Sequence, residues 1–527
     1  MPRLHLAPLL LAAAVPGLAA AQDPFSPSQR WLVEPATTAW CPEQVAFAGD
    51  ESFVWCAVRG ADQSLLLVDT VSTGAGQVRA VVPPLAQQFR APEIAAGRRA
   101  DRVFALRQVS TPSIYRRTPL VSAFDPLTGA GGSVLDEAWT HDMGIRINGP
   151  VELATDRLGE RVVAAAWNDV SAEVRLHVLD GTDGALLGAV DLPAYGLNAL
   201  TVSADGARIV VSAGMTLYVL DGSANLLHTR PLALATRALG ASADGRTLAY
   251  GDFSSVRLLR EVPGRGLLDA GAVQGGATEI PSELDLSADG TLAAIGWWDY
   301  STGRSARLEV FDLLFQFPMA SHDLPGLPGA TQNLVTAARF SDDGRRAAFS
   351  TWGNGADPEV FLLELGAFAP VLVVDTPGSV RGMALDSTGT RFALAAKSVH
   401  ASTSSARGDV RLVDSGERPL QLLETPRLGG VLRAAARRPG APIGWFMLGT
   451  PASQPATFPG VEGALLLQRD RIQFRVGFPD ADGRMDLDLP LPGSGALRGT
   501  QLHLQAAFRS GASIALTPDL VSPFLLD

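Results

Sequence analysis

The stretch Arg339 to Ser350, RFSDDGRRAAFS, is an apolar strand, an Asp-Gly turn and a second apolar strand, and it recurs along the chain. Variants stand at Thr201 to Val211 (TVSADGARIVV), Leu239 to Tyr250 (LGASADGRTLAY), Leu284 to Ile295 (LDLSADGTLAAI) and Met383 to Leu394 (MALDSTGTRFAL). A repeated unit of this size cannot bury its apolar surface alone and must stack on its neighbours. Aligning the turns places anchors at Asp50, Ala100, Gly159, Gly206, Gly245, Gly290, Gly344 and Gly389, spaced 39 to 59 residues apart. That is close to the roughly 40 to 50 residues of one four-stranded sheet in a ring of such sheets. Within the third unit, Glu152 to Thr155, Arg161 to Trp167, Val174 to Leu179 and Leu186 to Leu192 are short runs bounded by Gly, Asp and Pro, the pattern of half-buried or buried strands.

The expected fold is all-β: an eight-bladed β-propeller over residues 44–426, followed by a small antiparallel β-sandwich domain over 440–527. Seven blades are the alternative, because the first two units lack the Asp-Gly turn. A closed ring removes the open sheet edges that otherwise invite aggregation. Acids recur at Asp205, Asp244, Asp289 and Asp343 in the first turn, and at Asp69, Asp125, Asp180, Asp221, Asp312 and Asp414 after the third strand. Repetition in most units is what turn chemistry requires, so these acids are assigned to turns. Residues 427–439 are expected to form a linker, with Leu428 to Arg438 either a short helical turn or plain connection.

Arg3, the apolar run Leu9 to Val15 and the small residues Ala19 to Ala21 form the pattern of a signal peptide over residues 1–21, which implies an exported protein. A leader over 22–43 is expected to add one strand near Trp31 to Val33. Cys41 and Cys56 both follow the cleavage position, and an oxidising compartment predicts a disulfide between them. No later run approaches the ~20 apolar residues of a membrane-spanning helix. The net charge of -11 argues against a nucleic-acid partner, whose phosphates call for clustered Lys and Arg.

The segments FSDDGRRAAFS, LSADGTLAAIG and VSADGARIVVS resemble the WD40-like repeats of TolB-type propellers, clearly in units three to eight and weakly in the first two. Such propellers serve as protein docking platforms, as sugar or peptide binders, or as non-catalytic halves of peptidases. The tail, from Pro442-Ile443-Gly444-Trp445-Phe446 to Leu502-His503-Leu504-Gln505-Ala506, is similar to a C-terminal module carried by many bacterial exported proteins. LDGTDGALLGAV and FDPLTGAGGSVLDEAW are similar to quinoprotein dehydrogenase repeats, but the tryptophan ending each such repeat is present only at Trp139.

Motifs for chemistry are absent from the sequence. There is no Gly-x-Ser-x-Gly elbow and no His-Glu-x-x-His, the histidines are scattered, and Asp480 to Asp488 departs from a calcium loop at Arg484 and Met485. Lys397 is the sole lysine and stands in no P-loop. No metal and no cofactor is expected. What varies is the connection between second and third strands: Val109 to Thr118, Asn168 to Glu173, Asp299 to Ala306, Gly353 to Pro358 and Ser398 to Gly408. All fall on one face of a propeller, and elaboration of a single face marks a binding surface. At its rim stand Trp167, Asn168, Trp298, Asp299, Tyr300, Arg304, Trp352, Asn354 and Asp357, aromatic and polar groups suited to a sugar or a peptide segment. The competing role for these rings is to wedge between blades. The function expected is that of a monomeric, non-catalytic binder of a protein or glycan ligand; the alternative is a periplasmic or extracellular enzyme, lactonase-like or quinone-dependent, acting at the central channel.

Overall fold

The computed structural model describes residues 28–517 apart from 36–39, 49–50, 52, 61–63, 71–73, 77, 86–87, 89, 98–101, 111–115, 126–132, 136, 303–305, 325–333, 356, 368, 401–406, 417–419, 424–425, 460, 464, 470–471, 496–501 and 512. Residues 1–21, expected to be a signal peptide, and Arg304 lie outside the described residues.

The motif that repeats in sequence builds the same turn each time. In the turn after Leu197–Val202, Ser203 Oγ donates to Asp205 Oδ1 at 2.6 Å and accepts from the Arg208 N–H at 2.9 Å, while Asp205 Oδ1 accepts from the Ala207 N–H. Gly206 takes φ 68°, a region open to glycine with little penalty. The pattern returns at Ser242/Asp244, Ser287/Asp289 and Ser341/Asp343. These turns also join one sheet to the next, since Ala204 N–H donates to Ala243 O and Ala243 N–H to Ala288 O. The acids after the third strands accept from nearby backbone as well, Asp180 from Thr182, Asp221 from Ser223 and Asp312 from Leu314.

Among the described residues the chain forms eight sheets of four antiparallel strands, two of which gain a short fifth strand in parallel pairing. We number them in chain order by their first strands: Trp40–Ala48, Glu93–Ala96, Val151–Thr155, Leu197–Val202, Leu239–Ala241, Glu279–Leu286, Val335–Phe340 and Val380–Leu385. The second strands are buried on both faces, which is why they read as continuous apolar runs. In Arg161–Asn168 of sheet three, Val162, Ala164 and Ala166 pack toward sheet two, and Val163 and Ala165 toward sheet four. Eight such apolar clusters fill the spaces between successive sheets, and the last joins sheet eight to sheet one through Ala393, Ala395, Val54 and Cys56. The cycle of contacts is consistent with a β-propeller.

Sheet eight is completed from the other end of the described chain. Ser28–Val33 pairs antiparallel with Gly408–Asp414, matching Leu32 with Arg411 and Val33 with Val410. Trp31 is fully buried there, and Arg30 reaches Asp414 at 3.1 Å. The leader thus supplies the strand anticipated near Trp31, while Trp40–Ala48 already belongs to sheet one.

Two expectations are corrected. Cys41 and Cys56 are free, buried thiols. They occupy adjacent strands, but Cys41 faces Arg59 and Cys56 faces Val45, so three residues of strand, about 10 Å, separate Cys56 from the position opposite Cys41. A disulfide needs Cα atoms within about 7 Å. The segment that looked like a helical turn or linker contains the strand Val431–Arg437, which pairs with Arg484–Pro490 and with Leu420–Leu422. Its packing, with Leu432, Ala434 and Ala436 in one apolar cluster and Ala435 buried as well, overrides the helix-forming character of Ala and Arg. This small sheet packs through Met485 and Leu487 on Phe446, Ala506 and Phe508 of a five-stranded sheet built around Ile443–Gly449 and His503–Ser510.

Candidate functional site

The two ends of the ring differ in chemistry. At the short-turn end, the Arg157 guanidinium of the turn in sheet three donates to the Asp342 carboxylate in sheet seven. The two sheets are four steps apart in a cycle of eight, so this ion pair crosses the centre of that end.

Above it the first strands carry acids toward the interior. Burial pushes the Glu93 carboxyl up to about 7, with a hydrogen bond from Gln44 opposing the rise. Burial, then the Glu93 charge, pushes Glu152 up to about 8, with Arg237 pulling down and Glu283 adding to the rise. Burial also lifts Glu283 to about 7 against Arg339 and Arg237. Glu152 lies in sheet three and Glu283 in sheet six, so each can act on the other only across the middle of the ring. A half-buried carboxyl cluster therefore occupies the interior. Among the described residues no group of His, Cys, Asp and Glu is arranged to hold a metal ion.

The long-loop end is built from the ends of the second strands and the starts of the first. Its polar rim residues are largely spent on their own loops. Asn168 Oδ1 accepts from the Val170 N–H at 3.1 Å, and Asp299 Oδ1 accepts from Ser301 N–H and Oγ at 2.9 and 2.8 Å. Burial opposes ionisation of Asp299, yet the hydrogen bonds from Ser301 and Thr278 hold it down at about 2. Asn354 donates to Asp357 Oδ2 at 2.9 Å and accepts from the Asp357 N–H at 3.0 Å.

The tryptophans are half-buried rather than displayed. Trp167 donates from Nε1 to Ala194 O at 3.1 Å, and its ring fills the place a side chain would need at Gly149. Trp352 lies under the Lys397 ammonium, 4.2 Å from the ring centroid. Of the eight described residues among the nine singled out from sequence, Tyr300 is exposed, and the set is distributed over sheets three, six and seven.

What the long-loop end does expose was not on that roster. Val170, Tyr195, Met215, Leu234 and Phe253 join Tyr300 on the connections of sheets three to six, each between 42% and 89% exposed. Phe253 and Tyr300 touch, ring centroids 5.9 Å apart, across the join of sheets five and six. Phe253 holds φ 49°, a conformation that costs a bulky residue on the order of 1–3 kcal/mol and here keeps an aromatic ring in solvent. The sequence signal was present in single residues: Tyr195 in Pro-Ala-Tyr-Gly and Met215 in Ala-Gly-Met-Thr are large apolar groups in tight turns. Other exposed apolar residues sit on outermost strands, such as Leu186 and Leu226, where one face of an edge strand normally meets water, and a few stand in turns of the short-turn end, Leu158, Leu314 and Phe315 among them.

No protein-family model matches the chain, and no curated protein sequence matches it.

Proposed function

We propose that the chain is an exported, eight-bladed β-propeller of the TolB-like kind, with a C-terminal β-sandwich module, and that it binds a protein ligand at its long-loop end without catalysing a reaction. One observation carries this reading: six large apolar side chains stand in solvent on the long-loop connections of sheets three to six. A soluble surface rarely gathers such groups without a partner. A glycan would call for free Asn and Asp groups beside the rings, and Asn168, Asp299, Asn354 and Asp357 already engage their own loops.

Photo-crosslinking tests it. A benzophenone side chain at Tyr195 or Phe253 is expected to capture a discrete protein in the native extracellular fraction, and one at Arg246 in a short turn is not. Equal capture from both ends, or glycan-array binding that survives a Tyr195→Ser, Phe253→Ser, Tyr300→Ser variant, would refute it. The second reading, an enzyme acting at the central channel, draws on Glu93, Glu152 and Glu283, whose raised pKa values suit proton transfer near neutrality.

A further inference from the structure

Lys397, the only lysine of the chain, ends the second strand of sheet eight and is 1% exposed. Its Nζ has no hydrogen-bond partner among the described residues. The Trp352 ring beneath it offers a π face and no acceptor for the three N–H groups of an ammonium. A buried cation left in this state is normally paired, so the missing anion is the feature to explain.

Its neighbours sharpen the deficit. Burial, then the Arg381 charge and more weakly that of Arg59, lowers the Lys397 pKa, which places both guanidiniums within electrostatic reach. The two arginines share one carboxylate, Glu43, at 3.3 and 3.7 Å. Three cations therefore meet Glu43, with the Glu93 carboxyl, pushed up to about 7 by burial, also in electrostatic reach of Arg381. The Cys41 thiol beside them is pushed up by burial and stays neutral. Arg381 and Arg59 keep 28% and 49% of their side chains exposed and form the solvent edge of the cluster, with Lys397 as its floor. Every member lies at the long-loop end: Arg59, Lys397 and Trp352 at the ends of second strands, Glu43 and Arg381 at the starts of first strands.

We propose that this cluster is a carboxylate-binding pocket that takes an acidic side chain of the protein ligand, with Lys397 and Arg381 donating to its oxygens and Trp352 forming the apolar wall. The assignment rests on the long-loop end being the binding end, and it adds an acidic anchor, in sheets seven, eight and one, to the apolar contacts of sheets three to six.

A single lysine makes the pocket directly observable, because protein labelled with 13Cε-lysine gives one lysine signal. Titration with glutarate is expected to shift that signal saturably, and glutaramide, the neutral isostere, is expected to leave it in place. Arg381→Gln should weaken glutarate binding by about tenfold or more, the loss of one charge-assisted hydrogen bond, and Arg59→Gln by less. Both residues are partly exposed, so these variants keep the test valid if Lys397→Met fails to fold. Arg246→Gln, in a short turn at the opposite end, should leave glutarate binding unchanged. No shift with glutarate, or an equal shift with glutaramide or inorganic phosphate, would overturn the pocket. Tighter binding of glucuronate than of glutarate would overturn its assignment to a protein side chain. Crosslinking from Tyr195 does not depend on these outcomes, so the pocket and the binding end fail separately.

Discussion

Replacing Glu152 by Gln should stabilise the protein at alkaline pH and leave it unchanged near pH 4.5. The carboxyl sits in the ring interior beside Glu93 and Glu283, and its pKa is pushed from 4.5 up to about 8 by burial first and then by Glu93. Between those values the folded state holds a proton that the unfolded state has released, so stability falls as pH rises through the window and levels off above about pH 8. Such a displacement corresponds to about 5 kcal/mol at the far end of the titration. Glu152 is only half-buried and Arg237 shares its surroundings, so water and that cation take up part of the penalty, leaving about 2 kcal/mol. Gln keeps the shape and carries no charge at any pH. With an unfolding entropy on the order of 1 kcal/mol/K for a chain of this size, the gain in Tm is about 2 °C at pH 9. Calorimetric scans of both proteins at pH 4.5, 7 and 9 read the difference directly. A gap that stays constant across pH, or one that widens toward acid, would refute the convergence of these carboxyls inside the ring.

Two further outcomes follow from the packing. Intact mass of the non-reduced protein should equal that of the reduced protein, with both thiols inert to a thiol reagent until the chain is unfolded; a mass lower by two hydrogens would restore the Cys41–Cys56 bridge that the strand register forbids. Trp31→Ala should cost about 3–5 kcal/mol, because the ring is fully buried where the amino-terminal strand closes sheet eight, and limited proteolysis should then cut first between residues 34 and 40. A variant as resistant as the parent would show that Ser28–Val33 does not hold the ring shut.

The repeat was legible because its chemistry is local. Ser203, Asp205 and Gly206 make their bonds within five residues, so spacing alone reveals the turn, and the second strands announce themselves by being apolar on both faces. The rim reads two ways for the same reason. Asn168, Asp299 and Asn354 look equally suitable for holding a ligand and for bracing a loop, and only coordinates show their oxygens already engaged. The interior acids left no trace in the sequence. Glu93, Glu152 and Glu283 each stand in a short strand where a polar residue ordinarily marks a solvent-facing position, and closure of the ring alone turns three separate positions into one cluster.

The ends of the ring differ for a structural reason that also gives the molecule a direction. The Ser-x-Asp-Gly turns satisfy their own backbone, and those of sheets four, five and seven also donate to the next sheet, as Ala204 does to Ala243, so residues at that end are committed to holding the ring together. The Arg157–Asp342 pair then spans its centre. Both ends show exposed apolar side chains and non-glycine residues at positive φ, Leu314, Phe315 and Gln316 in a short turn as well as Phe253 at the other end; what the long-loop end adds is length and the Lys397 ammonium, which has no hydrogen-bond partner among the described residues. A ligand approaching the interior acids therefore meets an ion pair from one side. From the other it meets Phe253, Tyr300, Arg381 and Arg59, groups with surface to offer.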